Sequence, residues 1–171
     1  SAAHEALVSS PGRFVFGIGN IHRSPWEWMA DPAYLALIEK ARDDSRLFET
    51  QIAFDVPDQD ENFPELAAYR AADELGLKVT THAGVWGATN DWGITNAYNA
   101  GVMKEGFTYV HAASLSDESY QKIAATGGNV SLATESEDTC GQGYPPLHKL
   151  RQYGIPASLS VDTSVWESAD L

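Results

Sequence analysis

Lys78-Val79-Thr80-Thr81-His82-Ala83-Gly84-Val85-Trp86-Gly87 is the stretch on which the fold turns. Its β-branched run suits a strand, and that run delivers one histidine to its end. The glycines and tryptophan that follow are turn and pocket material, not helix. Two further segments repeat the plan. Phe107-Thr108-Tyr109-Val110-His111 is an apolar, aromatic strand closing on His111, and Ala157-Ser158-Leu159-Ser160-Val161-Asp162 closes on Asp162. Three separate strands each finish on a residue type that binds metal.

Strand-like and helix-like runs alternate on both sides. Upstream, His4 to Ser9 reads as the tail of a helix, and Arg13 to Gly19 as a strand. Asp31-Pro32 offers an N-cap with proline at the first helical position, followed by Tyr34, Leu35, Ile38 and Ala41 at helical spacing. Leu47 to Val56 is a strand, and the helix begun at Pro64 stops at Gly76. Downstream, a loop over Gly84 to Gly93 precedes a helical segment within Ile94 to Gly106. Ser116 caps a helix with Asp117 and Glu118 in its first turn, where the helix dipole favours negative charge. Val130 to Ala133 is a strand, Thr134 to Pro146 a loop, and Leu147 to Tyr153 a short helix ending at Gly154.

Six strands bridged by helix-sized segments are βα units, which imply a parallel sheet. In a barrel of such units, chemistry sits at the C-terminal ends of the strands. His82, His111 and Asp162 are all expected there. Six units cannot close an eight-stranded barrel, and an open parallel sheet leaves two bare edges. The chain therefore reads as a single, partial barrel domain over residues 1–171. An N-terminal segment with the missing strands, or a partner in a homo-oligomer, would complete it.

Composition narrows the partners. Apolar residues make up 43% and charged residues 20%, as in a folded globular domain and not a disordered tail. The net charge is −13 and the 11 Lys and Arg residues form no basic stripe, which argues against nucleic acid and anionic membranes. A lone cysteine, Cys140, permits no intrachain disulfide and fits a cytoplasmic setting. No apolar run reaches the roughly 18 residues of a transmembrane helix, and no secretory leader is visible. A small-molecule substrate is the expected partner.

Two imidazoles and a carboxylate suit a divalent metal, zinc first, with iron or manganese as alternatives. Such a metal polarises a bound water toward hydroxide near neutral pH, and Asp162 could take the water's proton. Taken singly, each residue also has a plain reading: a strand-end histidine as a hydrogen-bonded core residue, an aspartate as a turn former. Their recurrence at equivalent places favours the metal. Trp86 and Trp92, in loops after strands, are candidate pocket walls or simple loop packing. His22 is a candidate pocket residue or a surface-loop histidine. His4 and His148 read as helix-surface residues, and Cys140 has no activating neighbour. Gly17-Ile18-Gly19 lacks the third glycine of a dinucleotide loop, so no organic cofactor is expected.

Tyr109-Val110-His111-Ala112-Ala113-Ser114-Leu115-Ser116-Asp117-Glu118 resembles the sixth-strand segment of the amidohydrolase superfamily, in particular its cytosine deaminase and triazine hydrolase branch. Ser131 to Glu137 with Gly141 to Pro145 resembles that branch's seventh-strand loop, Ser158 to Asp162 its eighth strand, and Thr81 to Gly84 its fifth. The resemblance implies a (β/α)8 TIM barrel of the metal-dependent hydrolase type, of which this chain holds about strands three to eight. It implies His82 as a metal ligand, His111 as a ligand or a residue orienting substrate and water, and Asp162 as a metal-contacting proton shuttle. Two departures stand out. The first-strand His-x-His pair is absent, and Val85 occupies the place of the glutamate that protonates the ring in the deaminase branch. Glu135 or Glu137 is the candidate substitute. The expected function is a metal-dependent hydrolase cleaving a C–N or related bond of a small organic substrate. The alternative is a catalytically incompetent barrel fragment or subunit that needs the missing strands.

Overall fold

The computed structural model describes residues 2–19, 32–42, 47–54, 62–86 and 89–163. Every β-branched or aromatic run named above becomes a strand: β1 Phe14–Gly19, β2 Phe48–Phe54, β3 Lys78–Ala83, β4 Thr108–His111, β5 Asn129–Leu132 and β6 Ala157–Leu159. They form one parallel sheet in the order β1-β2-β3-β4-β5-β6. The sheet curls into half a barrel, and the α/β architecture is that of a partial TIM barrel.

Helices fill the connections: α1 Ala2–Val8, α2 Pro32–Ala41, α3 Leu66–Glu74, α4 Trp92–Asn99, α5 Asp117–Ala125, α6 Thr134–Thr139 and α7 Leu147–Tyr153. Their ends follow local chemistry. The Ser116 side chain accepts from the Ser119 backbone N–H at the start of α5. Gly154, at φ 66°, closes α7 in the left-handed conformation.

Burial alternates along the central strands. Val79, Thr81 and Ala83 of β3, Tyr109 and His111 of β4, and Val130 and Leu132 of β5 are buried. Most of these pack with Ala68, Tyr69 and Ala72 of α3, Ile94 of α4, Tyr120 and Ile123 of α5 and Leu150 of α7 in one apolar core. The alternate residues line the concave face and are polar at most positions. There Thr80 Oγ1 donates to Gln51 Oε1 (2.8 Å), and Lys78 pairs with Glu49 (3.1 Å).

Four local expectations differ from what forms. The loop after β3 ends earlier, because α4 starts at Trp92. The stretch 134–146 contains α6, which the acidic sequence TESEDT does not announce. The last strand stops at Leu159, three residues before Asp162. Its final ladder bond runs from Ser160 N to Leu132 O (2.7 Å), after which Asp162 turns to φ 58°. His4 is not a plain surface residue: its ring packs edge-on to Phe48 (5.3 Å) and against Phe16 (5.9 Å), tying α1 to the sheet.

Candidate functional site

The alternation of β3 places His82 on the concave face, the side away from the helices. By the same rule His111 belongs to the helix side, since it pairs in register with Ala83. At its end, however, the backbone turns out of the strand conformation. His111 and Ala112 both adopt positive φ, 68° and 53°. A non-glycine residue in that region costs on the order of 1–3 kcal/mol and persists only where its surroundings fix it.

Here they do. Ala112 N donates to Ala83 O (3.0 Å), and Ser114 N donates to Gly84 O (2.7 Å). From α5, the buried Tyr120 hydroxyl donates to Ala112 O at 2.5 Å. Burial, with Asp117 close by, pushes that hydroxyl above the ordinary tyrosine range, so it stays a donor. The pinned turn leaves the His82 and His111 rings near-parallel, 25° apart, with centroids 5.4 Å from each other.

Behind His111 lies α6. Glu137 Oε1 sits 3.2 Å from His111 Nδ1, and the same oxygen accepts from Ala133 N (2.8 Å). Both side chains are fully enclosed, 1% and 0% exposed. A carboxyl group so buried needs hydrogen-bond partners; Oε1 has two, while Oε2 has none among the described residues. The adjacent residue of the same helix, Ser136, donates through Oγ to Asp162 Oδ2 (2.5 Å). Asp162 in turn donates its backbone N–H to Ser160 Oγ (3.0 Å) and leaves its side chain exposed. One short helix thus reaches a histidine at the end of β4 and an aspartate beyond β6.

The other sequence candidates are more dispersed. Trp86 and Trp92 stand 56% and 47% exposed at the β3 end of the site, and Trp86 N donates to Gln142 O (3.2 Å). Glu135 is exposed, on a different side of α6 from the buried Glu137. His22 lies outside the described residues. An open cleft of about 400 Å³ flanks α6, lined by Thr134, Asp138, Tyr144, Pro145, Leu147 and His148. Sequence reading overlooks Ser136 and Tyr120, because nothing local distinguishes a bracing hydroxyl from any other.

Two imidazoles sharing a tetrahedral ion through bonds of ~2.0–2.1 Å carry ring centroids about 5 Å apart, so the His82–His111 spacing suits a shared metal. Nε2 of His111 is buried with no hydrogen-bonding partner among the described residues. A third ligand is not assembled with them: among the described residues no group of three or more His, Cys, Asp or Glu side chains could hold a metal ion. The two histidines fit part of a metal's ligand set, and the described residues alone do not complete it.

Next to the site, Asp91 ties the start of α4 to the start of α5. Its Oδ1 accepts from Ser119 Oγ (2.5 Å) and Ser116 N (3.0 Å). Burial raises the Asp91 pKa, but the hydrogen bonds from Ser119 and Ser116, with Lys122 nearby, more than offset this and hold it below the ordinary carboxylate range. A lowered folded-state pKa means stability that is present above the unfolded value of about 3.9 and is lost as pH falls toward the lowered one. The urea midpoint of the wild-type chain should therefore drop more steeply than that of Asp91→Asn between about pH 5 and pH 3. Parallel slopes would rule Asp91 out as the acid-sensitive tie.

The sequence matches no protein-family model and no curated protein. Solved structures do match the fold. The guanine deaminase of C. acetobutylicum, with guanine bound in its active site, superposes with a TM-score of 0.75 at 15% identity, over 95% of this chain and 43% of that one. A mutant atrazine chlorohydrolase from Arthrobacter aurescens, complexed with zinc and atraton, gives a TM-score of 0.73 at 14% identity, over 93% and 40%. An adenosine deaminase from Xanthomonas campestris with bound zinc gives 0.59 at 19% identity, over 78% and 33%. The chain spans less than half the length of each. At these identities the likeness establishes a shared fold: the parallel, curled half of a barrel that these enzymes also contain.

Proposed function

We propose that this chain is part of a hydrolase that uses water to break a C–N or related bond of a small organic substrate. The observation that carries the reading is the meeting of His82 and His111 at the C-terminal edge of a parallel half-barrel, with Asp162 braced to the same cluster through Ser136 and Glu137. The resemblance of Thr81 to Gly84, Tyr109 to Glu118 and Ser158 to Asp162 to the amidohydrolase superfamily supports it, as do the deaminases and the chlorohydrolase that share the fold.

In this reading His82 and His111 hold a divalent metal, zinc first, which when bound supplies Lewis acidity to a water. Asp162, exposed at the strand ends, accepts that water's proton and returns it to the leaving group. Trp86 and Trp92 form an apolar wall against the substrate. Val85 leaves the site without the ring-protonating glutamate of the deaminase branch, which favours a substrate whose leaving group departs with one proton from Asp162. The remaining ligands would come from strands beyond the six described.

Equilibrating the full chain with zinc and measuring bound metal after gel filtration tests this. Binding should fall at least about tenfold in His82→Ala, the scale of a lost or misoriented ligand. Equal zinc content in variant and wild type would sink the metal reading. Release of ammonia or halide from a panel of aminated and chlorinated heterocycles would separate a hydrolase from a non-catalytic barrel piece.

A further inference from the structure

We infer that Glu137 is a positioning residue: it fixes His111 in the tautomer that carries its proton on Nδ1 and so presents Nε2 as a bare lone pair. The geometry carries this. Glu137 Oε1 already accepts from the Ala133 backbone N–H (2.8 Å) and faces His111 Nδ1 at 3.2 Å. A backbone N–H can only donate, so Oε1 is an acceptor on that side. The economical arrangement makes it the acceptor on the other side too, with Nδ1 donating. Both groups are enclosed, so water does not compete for either one.

The resemblance offers Glu137 as a substitute for the ring-protonating glutamate; its burial and its two partners point to a positioning task. It lies behind the imidazole, and Nε2, on the far edge of the ring, is the nitrogen with no hydrogen-bonding partner among the described residues. A neutral ring held with Nδ1–H is an acceptor at Nε2, able to take a substrate N–H, a water proton or a metal ion. The opposite tautomer would offer an N–H there and could do none of these. The left-handed backbone at His111 and Ala112 aims the ring, and Glu137 sets which of its atoms is reactive. That consequence rests on the functional reading above; the tautomer itself does not.

Long-range ¹H–¹⁵N correlation spectra of the metal-free full chain, which tell the two neutral tautomers and the imidazolium apart, decide the matter. In the wild type His111 should show the Nδ1–H form in about fivefold excess or more, the bias expected from a buried hydrogen bond that only this tautomer can make. Glu137→Gln keeps a carbonyl oxygen in place and should retain that form. Glu137→Leu removes the acceptor and should release the ring to an Nε2–H or mixed population. A wild-type His111 protonated on Nε2, or a folded Glu137→Leu chain unchanged from wild type, would overturn the inference. Should Glu137→Leu fail to fold, the wild-type spectrum alone is decisive. Because the spectra need neither metal nor substrate, absence of hydrolysis would leave this result intact. A wrong tautomer in an active hydrolase would remove Glu137 while sparing the functional reading.

Discussion

Gly84→Ala should destabilise the chain by about 2–4 kcal/mol, through backbone strain plus overpacking. Gly84 closes β3 at φ 58°, a conformation an alanine adopts only under strain. A Cβ placed there would lie 2.6 Å from Leu115 Cγ and 2.7 Å from its Cδ2, with the Leu115 backbone N at 3.2 Å. Leu115 is half-buried against the core, and its backbone N as well as its side chain stands in the way of that Cβ. The Gly84 carbonyl also accepts from Ser114 N (2.7 Å), so relief by moving the backbone would break the stitch between the β3 and β4 ends. Gly76 is the internal control. It has nearly the same φ, 65°, but nothing lies within 4 Å of the point a methyl group would occupy. Gly76→Ala should cost only about 1 kcal/mol. Urea denaturation of both variants measures the difference, and equal losses would mean that Leu115 yields and the clash is illusory.

Tyr120 carries the second large effect, in two separable parts. Truncation to alanine removes a buried aromatic ring that stacks on Tyr153 with centroids 6.1 Å apart, and should cost about 3–5 kcal/mol. Tyr120→Phe keeps the ring and deletes only the bond to Ala112 O, which should cost about 0.5–1.5 kcal/mol. The small change is the informative one. It frees the carbonyl that anchors the left-handed turn at His111 and Ala112, so the His111 ring resonances should broaden or shift while the rest of the spectrum stays in place. A Tyr120→Phe chain with wild-type His111 signals would show that the contacts from Ala83 and Gly84 suffice to hold the turn.

Much of the fold is legible in the chain because its local signals agree with one another. β-branched runs recur at βα spacing, and Ser116, Gly76 and Gly154 mark helix ends where helices do begin or end. What stayed hidden depends on contacts between distant residues. TESEDT has no apolar period; α6 forms around a carboxylate that finds a histidine 26 residues away and its own Ala133 amide. His82 follows the period-two rule and could be placed by counting. His111 keeps the burial that the rule gives it but ends β4 at a positive φ that no glycine signals, so the aim of its ring could not be read from its position. Asp162 likewise falls beyond the end of its strand, since the ladder to β5 ends with Ser160.

The sequential order of the strands has a kinetic meaning. Each strand's hydrogen-bonded neighbour is the one made just before it, so no sheet contact waits on a distant part of the chain. Loop-closure entropy is spent in equal, small instalments rather than in one long-range step. A ribosome emitting such a chain would find a docking edge already formed for every new unit, and folding could keep pace with synthesis from β1 to β6.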